Sequence, residues 1–212
     1  MYRHKSLECY LQDAASGTPT PGGGSVAALV GALATTMFSM SANFTIGMEG
    51  YTQYDSQLKQ ILADCDRCRE TLLSLLEEDI AAYNKVSSAY RLPISTEYEK
   101  TMRSQAIQEA ILGATEVPLR TTMCCLYVLE LTSKLVGISN PNLVSEVGAA
   151  CFLAEAALQC AKLTADLNLI SLKNKSLVEK IRHELNNAET KARMFSRIIT
   201  ERVRGEIGKY LN

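Results

Sequence analysis

An all-α fold follows from three observations on this 212-residue chain. Apolar residues recur at helical spacing through almost every segment, and no run alternates at period two for long. Two long segments are apolar nearly all round and almost free of charge, as helices enclosed by others are. Turn residues punctuate the periodic runs, and no linker, repeat or low-complexity tract interrupts them. The expected architecture is a single domain over residues 1–212, a bundle of about six helices with two buried at the centre and four wrapping them.

Each element has its own signal. Leu7, Tyr10, Leu11, Ala14 and Ala15 mark a first helix closed by Gly17. In the stretch Pro19-Thr20-Pro21-Gly22-Gly23-Gly24-Ser25, the prolines fix the approach and the glycines free the backbone of side chains. Ser25 is expected to cap the helix that follows, Val26 to about Ile46. No charge occurs between Asp13 and Glu49. That second helix is long enough to span a bilayer, yet its Ala, Gly, Ser and Thr content, Asn43 and the lack of flanking anchors assign it to the bundle core. Asp55 to Tyr90 is a long amphipathic helix with Leu58, Leu62, Cys65, Leu72, Leu76, Tyr83, Val86 and Tyr90 on one stripe, ended by Pro93. Thr96-Glu97-Tyr98-Glu99 is a capping box for the next helix. Pro118 is expected to kink or split it before Gly137 stops it. Asn140-Pro141 places a cap and a first-turn proline before the second apolar helix, roughly Leu143 to Leu167. Ser176-Leu177-Val178-Glu179 reads as a second capping box, opening a charged tail helix.

Composition narrows the chemistry. With 22 basic and 23 acidic residues the net charge is -1, which argues against a nucleic-acid partner. The N-terminus lacks the apolar core of a signal peptide, and seven cysteines point to a reducing cytoplasm. Cys65 and Cys68 have metal-pair spacing, but they lie in a helical run with no second pair at a suitable distance. Buried apolar thiols, and no metal, are the expectation. His4 and His183 are the only histidines. Acid–base chemistry therefore falls to carboxylates, Lys, Tyr or the backbone.

Certain residues break the apolar pattern. Asp79 falls on the stripe of Leu72, Leu76, Tyr83 and Val86. A carboxylate there is hydrogen-bonded by a neighbour, or has a raised pKa suited to general acid–base work. Glu146 and Glu155 are the only charges between Asn140 and Lys162. Glu146, close to a helix start, has a dipole-capping explanation; Glu155, in mid-helix, calls for a buried partner or a cavity. Asn43 and Asn168 are polar islands that bond across helices or hold a ligand. The glycine run is either a tight turn or a set of bare N–H groups at a helix N-terminus, suited to a carboxylate, phosphate or flat polar ligand.

Read together, these blocks resemble the cyclodeaminase domain of the formiminotransferase-cyclodeaminase family and its stand-alone methenyltetrahydrofolate cyclohydrolases. The resemblance is carried by Pro19 to Ala28, by Ala42-Asn43-Phe44-Thr45-Ile46-Gly47, and by Asp79-Ile80-Ala81-Ala82-Tyr83 through Tyr90-Arg91-Leu92-Pro93. Glu116-Val117-Pro118-Leu119, Asn140-Pro141-Asn142 and Leu153-Ala154-Glu155-Ala156-Ala157 extend it. It implies a helical homodimer acting on tetrahydrofolate derivatives without metal or nucleotide cofactor. One implied reaction closes 5-formiminotetrahydrofolate to the 5,10-methenyl compound with loss of ammonia; the other hydrolyses the methenyl compound to 10-formyltetrahydrofolate. The implied catalytic residues are Asp79 and Glu146, the latter standing where the family usually has Asp. The implied substrate-binding residues are Pro21, Gly22, Gly23, Gly24, Ser25, Asn43, Tyr83, Asn140 and Glu155. Gly47-Met48-Glu49-Gly50 replaces a loop usually rich in lysine. A non-catalytic folate-binding or regulatory protein is the alternative.

Overall fold

In the computed structural model, which describes residues 1–209, six α-helices follow one another: α1 (Leu7–Ala14), α2 (Gly23–Asn43), α3 (Asp55–Tyr90), α4 (Glu97–Leu135), α5 (Val144–Ile170) and α6 (Lys175–Gly208). Single 3-10 turns occupy Tyr2–His4, Thr52–Tyr54 and Pro141–Leu143. No strand occurs among the described residues. The two apolar helices, α2 and α5, pack on each other; α2 also packs on α3 and α4, α5 on α4 and α6, and α4 meets α3 and α6 as well, so α2 and α5 are not enclosed on every side. They run antiparallel, since Gly23 faces Thr164 while Thr45, just past α2, bonds Asn140, just before α5.

Small residues set the closeness of this packing. A Cβ on Gly31 would lie 2.8 Å from Cys125 Sγ and 3.2 Å from a Leu72 methyl, so α2 sits against α3 and α4 without room for a side chain there. Around it Phe38, Leu72, Leu75, Leu129 and Leu158 are fully buried, each contributing about 1.5–3 kcal/mol of transfer free energy. A second cluster, with Ile111, Leu169, Ile181 and Leu185, joins the other ends of α4, α5 and α6. Cys65 and Cys68 are buried thiols. Both α2 and α5 are long and apolar enough to cross a membrane by length and composition, and each leaves an uncovered apolar stripe. Leu33 and Met40 are exposed on α2, and Phe152, Leu163, Leu167 and Ile170 on α5.

Helix ends follow the sequence signals in part. Ser6 Oγ accepts from the Cys9 N–H, and Thr96 and Glu99 form the expected reciprocal capping box. Three expectations need correction. Helix α2 begins at Gly23 rather than Val26, with Gly22 as its N-cap, so Ser25 lies inside the first turn and does not cap. Helix α6 begins at Lys175, where Asn174 Oδ1 accepts from the Leu177 N–H; Ser176 is therefore helical rather than a cap. Pro118 neither ends nor splits α4, which is continuous from Glu97 to Leu135. Proline deprives the Ala114 carbonyl, four residues earlier, of its helical donor. Asn168 Nδ2, from α5, donates to that carbonyl at 2.8 Å instead.

Candidate active site at the start of α2

The α2 start exposes the N–H groups that no helix can satisfy internally, and Gly22 has no side chain to cap them. Asp79 supplies the missing cap from α3. Its Oδ2 accepts from the Ser25 N–H at 2.9 Å. The carboxylate lies so close to the turn that a Cβ on Gly24 would fall on Asp79 Oδ1 and lie 2.7 Å from its Cγ. Gly24 is thus required for the approach itself. Ser25 is held from behind, where its Oγ shares a hydrogen bond of 3.0 Å with the buried Tyr10 hydroxyl of α1.

A cavity of about 290 Å³ opens on this turn. Gly22, Gly23 and Gly24 form one wall, Asp79, Tyr83, Val86 and Tyr90 of α3 a second, and Ile111 and Ala114 of α4 with Thr164, Leu167 and Asn168 of α5 the rest. The apolar stripe of α3 therefore changes role along its length: Leu72 and Leu76 are buried core, whereas Tyr83 and Tyr90 are exposed on the cavity wall. Asn168 spends its amide on Ala114, which leaves its Oδ1 as an acceptor at the cavity.

Burial pushes the Asp79 carboxyl above the ordinary carboxylate range, with the Ser25 N–H pulling in the opposite direction. Burial likewise raises the Tyr10 hydroxyl. A carboxyl so placed holds its proton at higher pH than a solvated one and can both give and take it.

The sequence-derived residues fall into three groups. Asp79, Gly22, Gly23, Gly24 and Tyr83 line the cavity, with Ser25 and the buried Pro21 directly behind the loop. Asn43, Asn140 and Glu146 gather at the opposite end of the bundle. Asn43 is exposed at the end of α2, about 28 Å along the helix from Gly24. Asn140 caps the 3-10 turn through Oδ1, and its N–H donates to Thr45 Oγ1 at 2.8 Å. Glu146, in the first turn of α5, accepts from Ser145 Oγ, about 27 Å along the helix from Thr164. Glu155 stands apart from both groups, bonded at 2.5 Å to Ser196 Oγ on α6, which supplies the buried partner expected of it. Sequence reading missed Tyr10, Ile111, Ala114, Thr164 and Leu167. The available hints were the polar island at Asn168 and the proline inside α4.

Comparison with known proteins agrees with this architecture. The formiminotransferase-cyclodeaminase profile matches residues 6–187. A methenyltetrahydrofolate cyclohydrolase of Methylorubrum extorquens is 34% identical over 207 residues, covering 98% of this chain and 100% of the relative. The formimidoyltransferase-cyclodeaminase of Rattus norvegicus is 27% identical over 86% of this chain, which spans 34% of that longer protein. The crystal structure of formiminotetrahydrofolate cyclodeaminase from Thermotoga maritima is similar with a TM-score of 0.89 and 27% identity, covering 98% of this chain and 100% of that one. The chain belongs to the formiminotransferase-cyclodeaminase family.

Proposed function

We propose that this chain is an enzyme of tetrahydrofolate one-carbon chemistry that hydrolyses 5,10-methenyltetrahydrofolate to 10-formyltetrahydrofolate, with Asp79 as its acid–base group. The observation that carries the reading is the Asp79 carboxyl, desolvated on a cavity wall and held by the Ser25 N–H. The bridging carbon of the substrate is already electrophilic, so the protein has to activate water and assist departure of N5. Asp79 takes a proton from the water as its oxygen bonds to the carbon. It then returns that proton to N5 as the carbon–N5 bond breaks. The hydroxyl proton is released as the carbonyl forms, so each turnover yields one proton to solvent. The flat pterin fits between the tyrosine wall and the glycine turn, whose Gly23 and Gly24 N–H groups remain as donors.

Similarity to the Thermotoga cyclodeaminase supports a second reading at the same carbon. There N10 attacks the formimino carbon of 5-formiminotetrahydrofolate, and the protonated carboxyl assists ammonia to leave. An absorbance assay separates the two: decay of the methenyl compound in one arm, its appearance from the formimino compound in the other. Turnover in neither arm contradicts an enzyme and favours the non-catalytic folate-binding alternative.

We further read the chain as a homodimer, on the strength of the uncovered apolar stripes of α2 and α5, and as cytoplasmic, on the strength of its seven free cysteines. Light scattering tests the dimer, a monomer mass at micromolar concentration being the contrary result.

A further inference from the structure

Four of the seven cysteines gather where α2, α3 and α4 meet, Cys65 and Cys68 on α3 and Cys124 and Cys125 on α4. They are of two kinds. Cys65 and Cys125 turn toward α2: the Cys65 Sγ donates to the Thr35 carbonyl at 3.7 Å, and the Cys125 Sγ occupies the space a side chain on Gly31 would need. Both are fully buried, and burial pushes each thiol up to about 12. Neither ionises at neutral pH, so both remain inert packing groups.

Cys68 and Cys124 instead face each other across the seam between α3 and α4. These helices run antiparallel: as α3 is followed back from Tyr90 through Glu78 to Cys68, its partner on α4 moves forward from Arg103 through Arg120 to Cys124. The Cys124 Sγ donates to the Cys68 carbonyl at 3.7 Å, and the two thiols also hydrogen-bond to each other. That contact holds the Cys68 thiol below its ordinary range and raises Cys124, and the Arg67 guanidinium favours the Cys68 thiolate further. Cys124 is half-buried. Its neighbour Met123, Arg67 beside Cys68, and Thr71 and Tyr127 about one turn further on are exposed, so the seam opens to solvent at this pair.

We propose that Cys68 and Cys124 form a reversible oxidation site, closed by a peroxide to a disulfide that fastens α3 to α4. The Cys68 sulfur attacks one peroxide oxygen and the O–O bond breaks. The leaving hydroxide takes up the proton given up by Cys68 and departs as water, leaving a sulfenic acid on Cys68. The Cys124 sulfur then attacks the Cys68 sulfur and displaces the sulfenic oxygen, which leaves as a second water with the Cys124 proton. Two thiols are oxidised and one peroxide is reduced to two waters; external thiol reverses the link by exchange. The joined residues are 56 apart in sequence, so the link constrains the unfolded chain over a long loop. Asp79 lies about 16 Å further along α3, which leaves its cavity clear of the link.

The test treats the folded, reduced protein with hydrogen peroxide, alkylates the remaining thiols and sequences the unreduced peptides by tandem mass spectrometry. A Cys68–Cys124 link is expected at doses that leave the exposed Cys160 mostly alkylatable, and dithiothreitol removes it. The linked protein should melt about 5–15 °C above the reduced one. Cys125→Ala keeps the link and the rise, whereas Cys124→Ser loses both. The peptide map of the parent alone decides which cysteines join, whether or not a variant folds. Links through Cys65 or Cys125, or Cys68 and Cys124 still alkylatable once Cys160 is oxidised, overturn the site. A link that leaves the melting temperature unchanged overturns the fastening of α3 to α4.

Discussion

Substituting Gly24 with alanine examines whether the glycine turn sets the reactive carboxyl. The added Cβ would fall on Asp79 Oδ1 and lie 2.7 Å from Cγ, whereas a Cβ on the neighbouring Gly23 meets only Thr164 Oγ1 at 3.6 Å. Gly24 has no positive φ, and alanine is the better helix former, so the backbone of α2 accepts the change. The Asp79 side chain has to yield. Turning it away breaks its bond from the Ser25 N–H, and a hydrogen bond to a charged group is worth about 1.5–3 kcal/mol. Expressed in the transition state, that loss lowers kcat/KM by about 10- to 150-fold. A second signature is the pH profile. The Ser25 N–H lowers the Asp79 pKa against the effect of burial, so its loss moves the acidic limb to higher pH. The assay is kcat/KM for methenyltetrahydrofolate across pH, with circular dichroism to verify helix content and Gly23→Ala as the milder comparison. A folded Gly24→Ala protein with the parent's kcat/KM and profile refutes the placement of Asp79 against the turn.

Two further outcomes follow from the same geometry. Because the folded-state pKa of Asp79 is raised from 3.8, the native state binds its proton more tightly than the unfolded chain. Stability from this group is fully present below about pH 4 and is lost as pH rises through the folded pKa. Asp79→Asn should therefore melt above the parent at pH 7 with the gap closing toward pH 4; a gap that is constant with pH contradicts the raised pKa. At the proline in α4, Asn168→Leu leaves the Ala114 carbonyl without a donor and is expected to cost about 1–3 kcal/mol in denaturant unfolding. Pro118→Ala supplies the missing N–H, so the double variant should recover much of the loss; purely additive effects would contradict the coupling of the two sites.

The helices were legible because their signals are local. Apolar period, the Thr96–Glu99 box and Asn140-Pro141 each lie within one segment and survive into the structure. What escaped depends on partners distant in sequence. The α2 start lies earlier than read because Asp79, 54 residues away, accepts from the Ser25 N–H itself, so the helix is capped from another helix before Ser25 is reached. Pro118 is tolerated because Asn168 reaches the freed carbonyl from another helix. Asp79 itself could be read from sequence, since a carboxylate interrupting an apolar stripe is anomalous wherever the helix packs. Asn43, Asn140 and Glu146 could be singled out but not located, because the antiparallel run of α2 and α5 carries them to the far end.

The role given to Asp79 is tested most directly by single-turnover and steady-state kinetics of Asp79→Asn with methenyltetrahydrofolate. Asparagine keeps the shape and can still accept from the Ser25 N–H, but it cannot carry the transferred proton. Turnover should fall by about 10²–10⁴-fold while folate affinity stays within a fewfold of the parent. A folded Asp79→Asn protein that turns over at the parent rate contradicts Asp79 as the acid–base group.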